Sequence, residues 1–120
     1  MTGTDHPIEG EPLMLATARA SVGPAALPRL LDDVQSYLAA RRDDYRAGYE
    51  RALETDAWEA FFVERGHWEQ VGSALELGRR EHEAVARAHR EQLLWAGRSA
   101  DRREEFETAL DLREVAVVGR

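Results

Sequence analysis

Residues 67–96 read HWEQVGSALELGRREHEAVARAHREQLLWA, and the spacing of their apolar positions decides the fold. Trp68, Val71, Ala74 and Leu75 recur at intervals of three and four, the repeat of one helix face. Glu76, Leu77 and Gly78 interrupt that repeat as a tight corner. A second repeat follows in Val85, Ala88, Gln92 and Ala96, with Trp95 at its edge. The expectation is a helix over 67–77 and a longer one over 79–96, stopped by Gly97.

Working outward toward the C-terminus, residues 99–105 are charged and read as a turn. Phe106, Leu110 and Leu112 then alternate with Glu105, Glu107, Asp111 and Arg113, a period of two. EVAVVG at 114–119 is β-branched and apolar, so part of 106–118 is expected to be strand. A lone strand is not viable, and AFFV at 60–63 is its best partner. The segment 57–63 stays open between helix and strand: Asp56 and Glu59 have capping-box spacing, yet AFFV is a good buried strand.

Working outward toward the N-terminus, Leu31, Val34, Leu38, Arg41, Tyr45, Gly48 and Ala52 keep spacings of three and four. They predict one amphipathic helix over 28–53, roughly 39 Å long. Arg41 and Gly48 are its weak points. PLMLATARA at 12–20 reads as a short helix, and residues 1–11 as a flexible arm. The fold class is thus a mainly α single domain over 12–120, with a paired-helix centre and a minor two-stranded β element near the C-terminus. Its expected core holds Trp58, Phe61, Phe62, Trp68 and Trp95 with Leu31, Val34, Leu38, Val71, Leu75 and Val85.

Composition narrows the function classes. A chain of 120 residues, 43% hydrophobic and 32% charged, suits one modest core. The absence of cysteine excludes disulfides and thiolate metal sites. No apolar run approaches a membrane span, and MTGTDHPIEGEP carries acids without a basic n-region, so a cytoplasmic protein is expected. His82 and His89 lie two helical turns apart, roughly 10 Å, too far to share one metal ion, and are expected at the surface or edge. No GxSxG elbow or Gly-rich phosphate loop occurs. Neither an enzyme nor a cofactor is expected.

What remains is binding. With Val85 and Ala88 inward, the opposite face of the second helix carries Arg79, Arg80, Arg87 and Arg90, and Arg98 extends it. Glu83 and Glu91 interrupt this face. VGSALELGRREHEAV at 71–85 resembles the helix-turn-helix family, with Gly72 as the small residue of the first helix, Leu75 and Leu77 as turn contacts and Val85 as anchor. It departs in placing Glu76 where that family has its turn glycine and Gly78 where Ser or Thr would cap. The resemblance implies a regulatory protein reading double-stranded DNA. The net charge of −7 opposes this at long range. The chain as a whole is similar to small proteins of halophilic archaea, through RGHWEQVG at 65–72, EFETALDLREVAVVG at 105–119 and 16 basic residues that are all arginine. That similarity implies compartment and architecture but no activity. The alternative is a protein-interaction adaptor without nucleic acid, acting through helix 28–53 or the C-terminal strand. A homodimer through 28–53 suits either reading.

Overall fold

The aromatic segment left open between helix and strand is a strand, and it is the centre of a sheet. In a computed structural model, which describes residues 6–120, the order is α1 (Gly10–Arg19), α2 (Ala26–Ala39), α3 (Arg42–Gly48), β1 (Glu50–Glu54), β2 (Trp58–Val63), α4 (His67–Ala74), α5 (Arg79–Ser99), α6 (Arg103–Leu110) and β3 (Glu114–Gly119). The domain is therefore mainly α. Its sheet has three antiparallel strands in the order β1-β2-β3, one more than expected.

β2 runs antiparallel to β3 from Trp58 opposite Gly119 to Val63 opposite Glu114. The expected partnership of AFFV with the last strand is thus present. All six residues of β2 are buried, as a central strand covered on both faces requires. Alternation splits the core in two. Phe61, Val63, Ala116 and Val118 join Leu27, Leu31, Val34 and Leu38 of α2 and Trp68 and Val71 of α4. Ala60, Phe62, Val115 and Val117 join Leu93 and Leu94 of α5 and Phe106 and Leu110 of α6. Each fully buried large apolar side chain contributes about 1.5–3 kcal/mol.

The single helix over 28–53 does not form. α2 ends at Ala39, and Arg41 leaves helical geometry with its guanidinium over the Tyr37 ring and bonded to the Tyr37 carbonyl. α3 is a short helix, after which Tyr49 turns extended (φ −129°, ψ 153°) and leads into β1. The apolar stripe continues by coincidence: Tyr45 packs on Phe61 in one cluster, whereas Ala52 belongs to the other. Leu27, Leu31, Val34 and Leu38 are buried inside the chain, so the homodimer expected through 28–53 loses its apolar face.

Smaller readings also differ from the structure. Residues 103–110 are helix, because Phe106 and Leu110 bury one face at i,i+4 spacing while Glu104 and Glu105 sit at its positive end. The Asp56–Glu59 capping box is not used, since Glu59 lies in β2. Trp95, expected in the core, is 43% exposed. Gly97 does not stop α5 but lies within it, where a Cβ would stand 2.7 Å from Cδ2 of Phe106. Of the arm expected over 1–11, residues 1–5 lie outside the described residues, while Ile8 is fully buried and Gly10 and Glu11 begin α1. No helix among the described residues is long and apolar enough to cross a membrane.

Candidate functional site: the arginine face of the central helix

The paired helices stand where the spacing placed them, with shifted ends. α4 closes in a Schellman turn: Leu77 N–H donates to the Gly72 carbonyl (2.8 Å) and Glu76 N–H to that of Ser73 (3.2 Å). Glu76 holds the left-handed position, φ 58°, that a turn glycine would occupy. Gly72 lets α5 approach, since a Cβ there would lie 2.9 Å from Cβ of His82. The Glu81 carboxylate accepts the Gly78 N–H (2.7 Å), the glutamate half of a capping box, while glycine at the N-cap offers no side-chain acceptor in return.

α5 touches α1, α2, α4, α6 and β3, so most of its circumference is enclosed. Its buried side includes Val85, Ala88 and Gln92 as expected, and also His89, which was expected at the surface or edge. His89 is 1% exposed and packs against Trp68 with ring centroids 4.5 Å apart and the ring planes tilted by 46°. Its Nδ1 accepts the Val117 N–H at 2.9 Å, so Nε2 carries the proton of the neutral ring. Burial, and then the charges of nearby His6 and His67, push its pKa down to about 3.

That bond belongs to a seal along the outer edge of β3. Trp68 Nε1 donates to the Val115 carbonyl (3.0 Å) and Gln35 Nε2 to that of Val117 (3.2 Å). Gly119 N–H donates to Gln35 Oε1 (2.6 Å), and Arg42 Nε donates to the Gly119 carbonyl (2.9 Å). Edge groups that would accept another strand are thereby occupied by α2, α3, α4 and α5. A strand added at β3 would have to displace these bonds.

Two other buried polar groups are also committed. The Glu59 carboxylate, 1% exposed, accepts from Arg46 (2.8 Å) and Arg51 (3.1 Å), with Arg120 at 3.9 Å. Burial raises its pKa, but the Arg46 and Arg51 bonds and the Arg120 charge outweigh this and hold it below the usual range. His67 Nε2 meets the Tyr45 hydroxyl at 2.6 Å, and burial lowers the pKa of His67 against the opposing pull of Glu64 and Glu114. Burial also pushes the Tyr45 hydroxyl well above its ordinary value, so it is not an ionised nucleophile. Among the described residues, no three His, Asp or Glu side chains are grouped to hold a metal ion.

The outward side of α5 carries the basic residues singled out from the sequence. Arg79, Arg80, Arg87 and Arg98 are exposed, and Arg90 is half-buried. They are not equivalent. Arg79 pairs with Glu83 (3.0 Å), and Arg98 with Glu11 of α1 (3.5 Å). Among the described residues, Arg80, Arg87 and Arg90 have no ion-pair partner. Arg87 and Arg90 border an open groove of about 510 Å³ together with Arg113. Arg113 was not among the expected site residues. It sits just before β3, lies over the Phe62 ring (4.4 Å) and pairs with Glu50 (2.9 Å). The only sequence signal for it was a basic residue at the mouth of an apolar strand.

The fold and this surface define a small helical domain built around a three-stranded antiparallel sheet, with a central helix that is apolar inside and basic outside. The chain belongs to a family described as a domain of unknown function, DUF8048, which matches it over residues 6–120. No curated protein and no solved structure matches it significantly.

Proposed function

We propose that this is a non-catalytic regulatory protein that binds the phosphate backbone of double-stranded DNA along α5. The observation that carries the reading is the group Arg80, Arg87 and Arg90, three guanidiniums on one helix face without carboxylate partners among the described residues. Arg80 and Arg90 are ten positions apart, about 15 Å along the helix, a length over which a duplex presents several phosphates. Because α5 is enclosed by five other elements, its basic side lies flat on the backbone and does not enter a groove. Sequence preference is therefore weak. The net charge of −7 repels nucleic acid beyond contact range, so affinity is low, and the arginine–phosphate contacts that carry it weaken as salt rises.

The test is duplex binding as a function of salt. Replacing Arg87 and Arg90 together by alanine lowers the magnitude of the slope of log K against log salt by about 2, close to one for each phosphate no longer neutralised. Arg79→Ala and Arg98→Ala have smaller effects, since a carboxylate of the chain already meets part of each guanidinium. Equal affinity of wild type and the Arg87/Arg90 double variant at every salt concentration refutes the proposal.

A further inference from the structure

The groove beside Arg87 and Arg90 has a chemistry that a phosphate backbone does not use. Its floor is apolar, formed by Ala86, Leu110 and Val115 over the buried Trp68 ring. Its rim is basic, formed by Arg87, Arg90 and Arg113. Arg87 and Arg90 are three apart on α5 and so lie side by side on its surface.

Two carboxylates, Glu83 and Glu114, also line the groove, and each is held by other groups of the chain. Glu83 is bonded to Arg79 (3.0 Å), one turn earlier on α5. Glu114 accepts the Gly66 and Trp68 backbone N–H groups at the start of α4, which anchors it at that helix's positive end. Arg113 is steadied by Phe62 and Glu50, while Arg87 and Arg90 hold no such contact among the described residues. A volume of about 510 Å³ lies within the range of small-ligand sites, and guanidiniums over an apolar floor suit a ligand with a charged head and a greasy body.

We infer that this groove binds a small amphiphilic organic anion, with its oxyanion head on Arg87, Arg90 and Arg113 and its apolar part on Ala86, Leu110 and Val115. Such a ligand competes with DNA for Arg87 and Arg90. The site would stand even if the DNA reading failed, because Arg113 and the floor play no part in backbone contact.

The experiment is calorimetric titration of the full chain with hexyl phosphate, hexanoate, inorganic phosphate and hexanol. Hexyl phosphate or hexanoate binds one to one, and about tenfold or more tighter than either inorganic phosphate or hexanol. The tighter of the two amphiphiles identifies the head group. Arg87→Gln and Arg113→Gln each weaken that binding about fivefold or more, whereas Arg80→Gln, outside the groove, leaves it unchanged. Arg113→Gln also takes a guanidinium off the Phe62 ring, so the exposed Arg87→Gln is the decisive variant. The inference is overturned if neither amphiphile saturates, if hexanol or phosphate binds as tightly, or if Arg80→Gln is as damaging as Arg87→Gln. Loss of duplex binding with hexyl phosphate binding intact supports the groove and removes only the DNA reading.

Discussion

Replacing His89 by asparagine should flatten the acid dependence of folding. His89 is neutral in the folded chain with a pKa of about 3, against an ordinary value of 6.5. Between those values the unfolded chain holds a proton on this ring and the folded chain does not. Stability therefore rises with pH through the window and is lost as pH falls, by at most about 1.4 kcal/mol per pH unit. From pH 7 down to pH 4.5 the loss from this one residue comes to about 2–3 kcal/mol, a large part of an ordinary domain's 5–15 kcal/mol. Asparagine places an oxygen close to where Nδ1 stands, so the Val117 N–H keeps an acceptor, but it does not titrate. The variant loses the ring packed against Trp68 and is less stable at pH 7 by about 1–3 kcal/mol. The assay is urea unfolding followed by circular dichroism at several pH values between 7 and 4.5. The wild type should lose stability steeply over that range, and the variant only by the smaller part left to His67, whose pKa burial also lowers. If both proteins lose the same amount, His89 is not the buried base described here and the reasoning fails.

Other substitutions test the packing. Gly97→Ala sets a methyl 2.7 Å from the Phe106 ring and should cost about 1–3 kcal/mol, read as a lower urea midpoint; no change would mean that α6 shifts freely. Glu76→Gly relieves a left-handed residue at φ 58° in the turn after α4 and should raise the melting temperature, by about 0.5–1 kcal/mol in stability. Gln35→Leu leaves the Val117 carbonyl and Gly119 N–H without their partner and should cost about 1–3 kcal/mol, with faster amide exchange confined to β3. Glu59→Gln removes the charge shared by Arg46 and Arg51 and should cost about 2 kcal/mol at neutral pH; a more stable variant would show that burial of the carboxylate outweighs its bonds.

Helical spacing located α4 and α5 because each buries one face, and a run of β-branched residues located β3 because that strand is buried on both faces. The break after Ala39 was legible only as the weak points Arg41 and Gly48: the spacing of three and four runs on through Tyr45 and Ala52, although these residues serve opposite sides of the sheet. β1 was missed with it, since ERALE carries charges and no β-branched residue and becomes strand by pairing with β2. At α6, the alternation of Phe106, Leu110 and Leu112 with charged neighbours concealed an i,i+4 pair, and Leu112 is exposed. The arginine face was legible as a face. Which of its members pair with Glu11 and Glu83 was not, because Glu11 comes from a helix distant in sequence. His89 was misjudged for a similar reason: a histidine becomes a core residue only when a donor meets it, and Val117 lies 28 positions away.

The seal on β3 bears on how the chain reaches its native state. Val115, Val117 and Gly119 are latched by Gln35, Arg42, Trp68 and His89, partners 28 to 84 positions earlier. A nascent chain that has emerged only as far as Arg113 has these latches but nothing for them to close on, and its two half-cores share no completed wall. Closure is therefore a late, long-range event, and until it happens four polar side chains are held in waiting among apolar neighbours.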